Sequence, residues 1–160
     1  MPARPDNEKQ RNTGLAVDRS GYCIVVRSEA FFVRKALLDV TGFAARRGIG
    51  KNDLGTLELV LAEVLNNIVE HSCHDRQGSM IKVSCKFAQV GAQMRVTDNG
   101  APLQGGIAPD SVLPRPNGDI ETLPEGGFGW FIIRRLTQNL TYRRRNGRNC
   151  LVFTIPFQGI

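Results

Sequence analysis

A chain of 160 residues carries 21 Lys and Arg against 15 Asp and Glu, a formal net charge of +6, with 41% hydrophobic and 22% charged residues. These are globular proportions for one ordinary domain, with room for a single core and not for a second. No apolar run is long enough to span a bilayer and the polar start MPARPDNEKQRN has no signal-peptide apolar region, so a cytoplasmic protein without a membrane anchor is expected.

Residues 1–20 are polar, include two prolines and show no periodicity, which predicts a flexible arm before a single domain at 21–160. Tyr22 to Val26 is a short strand, and Ser28 is the expected N-cap of a helix from Glu29 to about Arg47. That helix carries Phe31, Phe32, Ala36, Leu37, Val40 and Phe43, and Gly48-Ile49-Gly50 ends it. Asn52 or Asp53 is expected to cap a second helix that runs out near Ser72.

The second helix is the organising element. Leu57, Val60, Leu61, Val64, Leu65 and Ile68 recur with the spacing of one buried stripe. Glu63, Asn67 and His71 follow one another at four-residue steps, so they stack along the border of that stripe. A carboxylate and a carboxamide in such a place are either a satisfied structural network or a site facing a ligand.

Residues 74–79 form a turn. Ile81, Val83, Cys85 and Phe87 then alternate with Lys82, Ser84 and Lys86, a strand with one buried face; Gly91 marks a hairpin and Gln93 to Thr97 returns. Asp98 is in phase with Met94 and Val96, so it points toward the covered face and needs a donor partner. Gly100 allows a close backbone approach, although Asp-x-Gly after a strand is also a common turn.

The stretch from Gln104 to Glu125 is rich in proline and glycine and has no period. Connections of that length in a small domain are commonly lids or binding loops. It closes on Gly126, Gly127 and Gly129, which lead into an apolar helical run from Trp130 to Leu136. Such a loop offers backbone N–H groups to an anion, yet it is neither a Walker A loop nor a dinucleotide fingerprint. Leu140 to Arg145, Asn146-Gly147 and Cys150 to Pro156 make a hairpin.

The remaining signals are weaker. Cys23, Cys73, Cys85 and Cys150 contain no CxxC pair and fit reduced, buried thiols. His71, Cys73 and His74 match no usual metal-ligand spacing. Arg46-Arg47, Arg134-Arg135 and Arg143-Arg144-Arg145 hold much of the positive excess without interleaved aromatics, which suits polyphosphate or acidic partners as well as DNA.

Three features occur in a fixed order: a helix with Glu-x-x-x-Asn on its flank, a strand ending in Asp-x-Gly, and a long loop closing on glycines before a helix. In EVLNNIVEHS, VTDNG and EGGFGWFIIRRL this resembles the N, G1 and G2 boxes of the GHKL, or Bergerat-fold, ATPases. The one-domain layout is similar to the anti-sigma-factor serine/threonine kinases of the RsbW type, over about residues 21–156. The resemblance implies an α/β two-layer sandwich, with a mixed, mainly antiparallel sheet covered on one face by three helices.

It also implies roles. Asn67 would bring its oxygen to Mg²⁺, Glu63 would act as general base, and Asp98 would accept the adenine amino group of ATP. Gly100 would let the backbone lie against the purine, and Gly126, Gly127 and Gly129 would surround the phosphates under a closing lid. His71 fits a family position but is expected to be a core-edge residue shaping the helix end. Arg34 resembles an arginine at the partner-binding face of relatives. The implied partners are a sigma factor and a STAS-domain anti-sigma antagonist as kinase substrate, with a homodimer, and with neither direct nucleic-acid nor membrane binding. The alternative is an ATP-sensing binding module of the same fold without kinase activity. Two positions depart from the pattern. Pro102 stands where many members have a second glycine, a change familiar among the anti-sigma-like members. Arg148-Asn149 replaces a Gly-Thr-Thr run on the adenine side, with Asn149 the candidate replacement.

Overall fold

A computed structural model describes residues 21–74, 77–106, 108 and 127–158. Its strands are β1 (Gly21–Arg27), β2 (Met80–Ala88), β3 (Gly91–Asp98), β4 (Gln138–Arg145) and β5 (Arg148–Pro156); its helices are α1 (Ala30–Arg46), α2 (Lys51–Asn67) and α3 (Gly127–Leu136). The strands form one sheet in the order β1-β2-β3-β5-β4. Every pairing is antiparallel, so among the described residues the sheet is wholly antiparallel rather than mixed.

Alternation explains how the sheet meets the helices. Ile81, Val83, Cys85 and Phe87 on β2 pair with Asp98, Val96, Met94 and Ala92 on β3, and all eight are buried. Side chains of directly paired residues share a face. Leu151, Phe153 and Ile155 of β5 continue that face into the core. Lys82, Lys86, Gln93 and Arg95 alternate with these and are exposed. The expected two-layer sandwich is therefore present, with the helices on the apolar side.

α2 is central to the helical layer and touches both α1 and α3. Leu57, Val60, Leu61, Val64 and Leu65 are almost fully buried, and Ile68 is 8% exposed, the stripe that the spacing predicts. On α1 the stripe is rotated from the expected one. Val33, Ala36, Val40 and Ala44 are buried while Phe31 is 74% exposed, because the three- and four-residue steps through the small residues give the closest approach to α2. Phe43 packs instead between Tyr22 and Phe87, with ring centroids 4.9 and 5.9 Å away. Of the thiols expected to be buried, Cys73 and Cys85 are, while Cys23 on β1 is exposed and Cys150 is only partly covered; burial raises the Cys85 thiol to about 12, which keeps it protonated and unreactive at neutral pH.

The helix ends differ from expectation at two caps. Glu29, not Ser28, is the N-cap of α1 by its extended backbone; Ser28 instead donates its N–H to Ser79 O. Gly50 takes the cap position of α2, and Asp53 in the first turn accepts a bond from Gln158 N at 3.0 Å. Neither cap residue supplies a side-chain cap bond. Gly48 has φ +81°, which ends α1 as expected. Asn146 and Gly147 have φ +51° and +74°, which turns β4 into β5.

Gly55 lies on the exposed side of α2, and nothing stands within 4 Å of where its Cβ would be. Gly55→Ala should therefore stabilise the fold by about 0.5–1 kcal/mol, the helix-interior difference between the two residues. A rise in the urea midpoint at unchanged slope would show it; a fall would mean that the added methyl meets something.

Candidate functional site

The end of α2 is where the site begins. Beyond Asn67 the helix widens into a π-helical turn, Ile68–Ser72, closed by a bond from Cys73 N to Ile68 O of 2.8 Å. The wider turn changes the register. His71 does not continue the flank of Glu63 and Asn67 but is exposed, so it is not the expected core-edge residue. Ser72 and Cys73 turn inward and are buried.

Ser72 meets the end of β3. Asp98 is 6% exposed, and its Oδ1 accepts from Ser72 Oγ at 2.7 Å, Gly100 N at 2.8 Å and Asn149 Nδ2 at 2.8 Å. The donor requirement of the buried carboxylate is thus met within the protein. Asn149 is 4% exposed and pairs directly with Asp98 across β3 and β5. Tyr142 OH and Arg144 Nη1 donate to its Oδ1 at 2.7 and 2.6 Å. The replacement suspected on the last hairpin sits at the middle of this network.

Gly100 has a reason different from the expected one. A Cβ there would overlap the carbonyl and hydroxyl of Ser72, and Ala101 N donates to that same carbonyl at 2.6 Å. The close backbone approach is therefore to the π-helical turn.

At the other end of the site, α3 crosses α2. The helix begins at Gly127, three residues before the expected start, so Gly127 and Gly129 belong to its first turn rather than to a loop. A Cβ on Gly129 would lie 2.7 Å from Glu63 Oε2 and 3.5 Å from both polar atoms of the Asn67 carboxamide. Glycine lets this turn pack against the pair. Asn67 Nδ2 is buried and has no hydrogen-bond partner among the described residues. Gly126 and most of the expected lid (107 and 109–125) lie outside the described residues. At the start of that stretch Arg134 of α3 donates to Ala108 O at 2.6 Å.

Between the two ends runs a cleft. Asn67 lines one end and Asp98, Tyr142 and Asn149 the other, with Val64, Ile68, Leu103, Trp130 and Leu151 as largely apolar walls. A mostly apolar lining with a few polar groups among it is the usual make-up of a small-molecule site. Ser72, Tyr142 and Arg144 were not among the residues expected here. Ser72 carries no signal in α-helical spacing, because a π-helical turn places it. Tyr142 could have been found, since it is the inward-phase residue of a strand otherwise crowded with arginine.

A five-stranded antiparallel sheet backed by three helices, with a cleft between α2, α3 and the sheet end, is the architecture of a Bergerat-type α+β domain. Residues 26–155 match the family model of the histidine kinase-like ATPase domain, and the chain belongs to that family. Serine-protein kinase RsbW of Halalkalibacterium halodurans is 28% identical over 125 residues, covering 78% of this chain and 76% of the relative. RsbW of Oceanobacillus iheyensis is 25% identical over 117 residues, covering 72% and 74%. Serine/threonine-protein kinase BtrW of Bordetella bronchiseptica is 31% identical over 99 residues, covering 62% and 68%. Among the described residues no helix is long and apolar enough to cross a membrane.

Proposed function

We propose that this protein binds Mg²⁺-ATP in the cleft and transfers the γ-phosphoryl group to a serine or threonine of a partner protein. The observation that carries this is the Asn67 carboxamide, whose Nδ2 is buried without a partner beside the Glu63 carboxylate. A structural network would have satisfied that group. The orphaned Nδ2 is an N–H donor and suits a phosphate oxygen, while Asn67 Oδ1 and the Glu63 carboxylate are the hard oxygen ligands that Mg²⁺ prefers. Asn67 would hold the ion, which supplies charge neutralisation for the phosphates when bound.

The remaining roles follow from position. Asp98 accepts the adenine amino group, and Trp130, Leu103 and Leu151 enclose the ring. The N–H groups in the first turn of α3, at Gly127 and Gly129, face the phosphates with the favourable end of the helix dipole. Glu63 takes the proton of the attacking hydroxyl.

The partner surface is proposed on α1. Phe31, Arg34 and Leu38 share one exposed face, with Phe31 and Leu38 at 74% and 60% exposure. Relatives named as serine-protein kinases support transfer to a protein, and the resemblance to anti-sigma-factor kinases suggests the partners: a sigma factor held at this face and a STAS-domain antagonist as phosphorylation substrate. A homodimer and a cytoplasmic setting belong to the same proposal. A second reading, an ATP-sensing module without transfer, draws on the packing of Gly129 against Glu63, which places the first turn of α3 over the proposed base.

Asn67→Ala should retain the fold, because the side chain is only half-buried at the rim of the core, and should lose most Mg²⁺-ATP affinity. Calorimetric titration of the folded variant tests this. Unchanged affinity would remove Asn67 from the ATP site.

A further inference from the structure

The face of the sheet opposite the helices is chemically unlike the rest of the molecule. Alternation turns Arg27, Lys82, Arg95, Arg143, Arg145 and Arg148 toward it, and all six are exposed. They equal in number the net charge of +6 of the whole chain. Among the described strands Asp98 is the one acidic residue, and it is buried on the core side. The open face is therefore a field of a single sign.

That field is held at a cost. Arg145 and Arg148 are direct cross-strand partners at the end of β4 and β5, and like charges directly opposite destabilise a sheet. Lys82, Thr97, Cys150 and Arg143 follow one another across four strands in one row, with Ser84, Arg95 and Val152 in the next. The side chains between the cations are short, so the long basic ones border a low floor.

Charge complementarity decides the occupant. A second copy meeting this face with its own would bring the same cations. Residues 1–20, with four basic and three acidic side chains, would not neutralise it. For nucleic acid, the strands turn no aromatic residue to this face on which bases could stack, and a broad sheet has nothing to enter a groove. For a membrane, the exposed large apolar side chains here, Val25 and Met80, are too few to anchor. Carboxylates suit the face. Five of the six cations are arginine, whose planar fork pairs with a carboxylate through two parallel bonds.

We infer that the open face of the sheet is a docking surface for an acidic segment of a partner protein, separate from the nucleotide cleft and from the α1 face. Complementary charge of this kind sets encounter rate and partner choice.

The test titrates the full chain with a fluorescein-labelled peptide of alternating Glu and Thr, whose carboxylates share one side when extended. It is run at about 0.1 M salt, where screening over about 10 Å keeps charge effects local. Wild type should bind the peptide, and Arg95→Glu with Arg143→Glu should weaken binding about tenfold or more, since each new carboxylate repels as well as removing a partner. The neutral pair Arg95→Gln with Arg143→Gln should weaken it in the same direction by less. Arg46→Glu with Lys51→Glu makes the same change of charge on the helical layer, and should leave binding within about twofold of wild type. Arg148→Thr should weaken the peptide yet raise the urea midpoint of the free protein, more at low salt than at high, because it relieves the repulsion from Arg145. No binding by wild type, or equal loss in the sheet and helical pairs, would overturn the surface. A lowered midpoint in Arg148→Thr would overturn the claim that these charges are held against stability. A DNA oligonucleotide or a phosphatidylserine vesicle that binds more tightly than the peptide, and is lost in the Arg95 and Arg143 pair, would overturn the choice of a protein partner.

Discussion

Glu63→Gln is expected to bind Mg²⁺-ATP about as well as wild type and to lose phosphotransfer by about 10²–10⁴-fold, the usual worth of general-base help. The substitution keeps the shape that packs beneath Gly129 and removes the capacity to take a proton as a carboxylate does. Phosphoryl transfer depends mainly on positioning and charge neutralisation, so binding and chemistry separate cleanly at this residue. Single-turnover transfer of labelled phosphate from ATP to a candidate STAS-domain protein measures the loss. The variant should still hold a sigma factor, because the proposed partner face is on α1. Transfer at the wild-type rate would place the base elsewhere. Absence of transfer by wild type itself, with ATP still changing partner affinity, would favour the sensing module.

The core of this domain was legible in the chain because its signals are local and periodic. The α2 stripe, the β2 and β3 alternation and the Asn146-Gly147 turn each follow from spacing within about ten residues. What escaped was set by tertiary contact. The α1 stripe shifted because small residues at Ala36 and Ala44 admit a close helix pair, leaving Phe31 outside. His71 left the flank of α2 because the turn after Asn67 is wider than an α-helix, which four-residue counting cannot foresee.

The site divides along the same line. Glu63, Asn67 and Asp98 could be singled out because a polar residue in a buried phase is conspicuous. Ser72 and Arg144 among their partners could not, since they come from separate segments that meet only in the fold, whereas Asn149 stood out on the last hairpin and Tyr142 by its inward phase. Gly129 was noticed as one of a group of glycines and is a packing glycine in the structure, its missing side chain leaving room for the Glu63 carboxylate. A phosphate-facing role for the first turn of α3 remains compatible with that packing, since the backbone N–H groups and the missing Cβ serve different neighbours.

Gly100→Ala carries the sharpest consequence for the fold and the site together. The methyl group would overlap the Ser72 carbonyl, its carbon and the hydroxyl, and two of those three atoms are backbone in a hydrogen-bonded π-helical turn. A flexible side-chain tip could swing aside, but main chain cannot do so cheaply. Overpacking of this kind typically costs about 1–3 kcal/mol. The turn must also give up the bond from Ala101 N to Ser72 O or the bond from Ser72 Oγ to Asp98 in order to move. The variant should therefore unfold at lower urea concentration than wild type with no nucleotide present, and its Mg²⁺-ATP affinity should fall because Asp98 loses its fixed position. Were Gly100 needed only for a purine to approach the backbone, stability without nucleotide would be unchanged and affinity alone would drop. Denaturation of the ligand-free variant thus distinguishes the two origins of the glycine, and the geometry of Ser72 predicts the destabilised outcome.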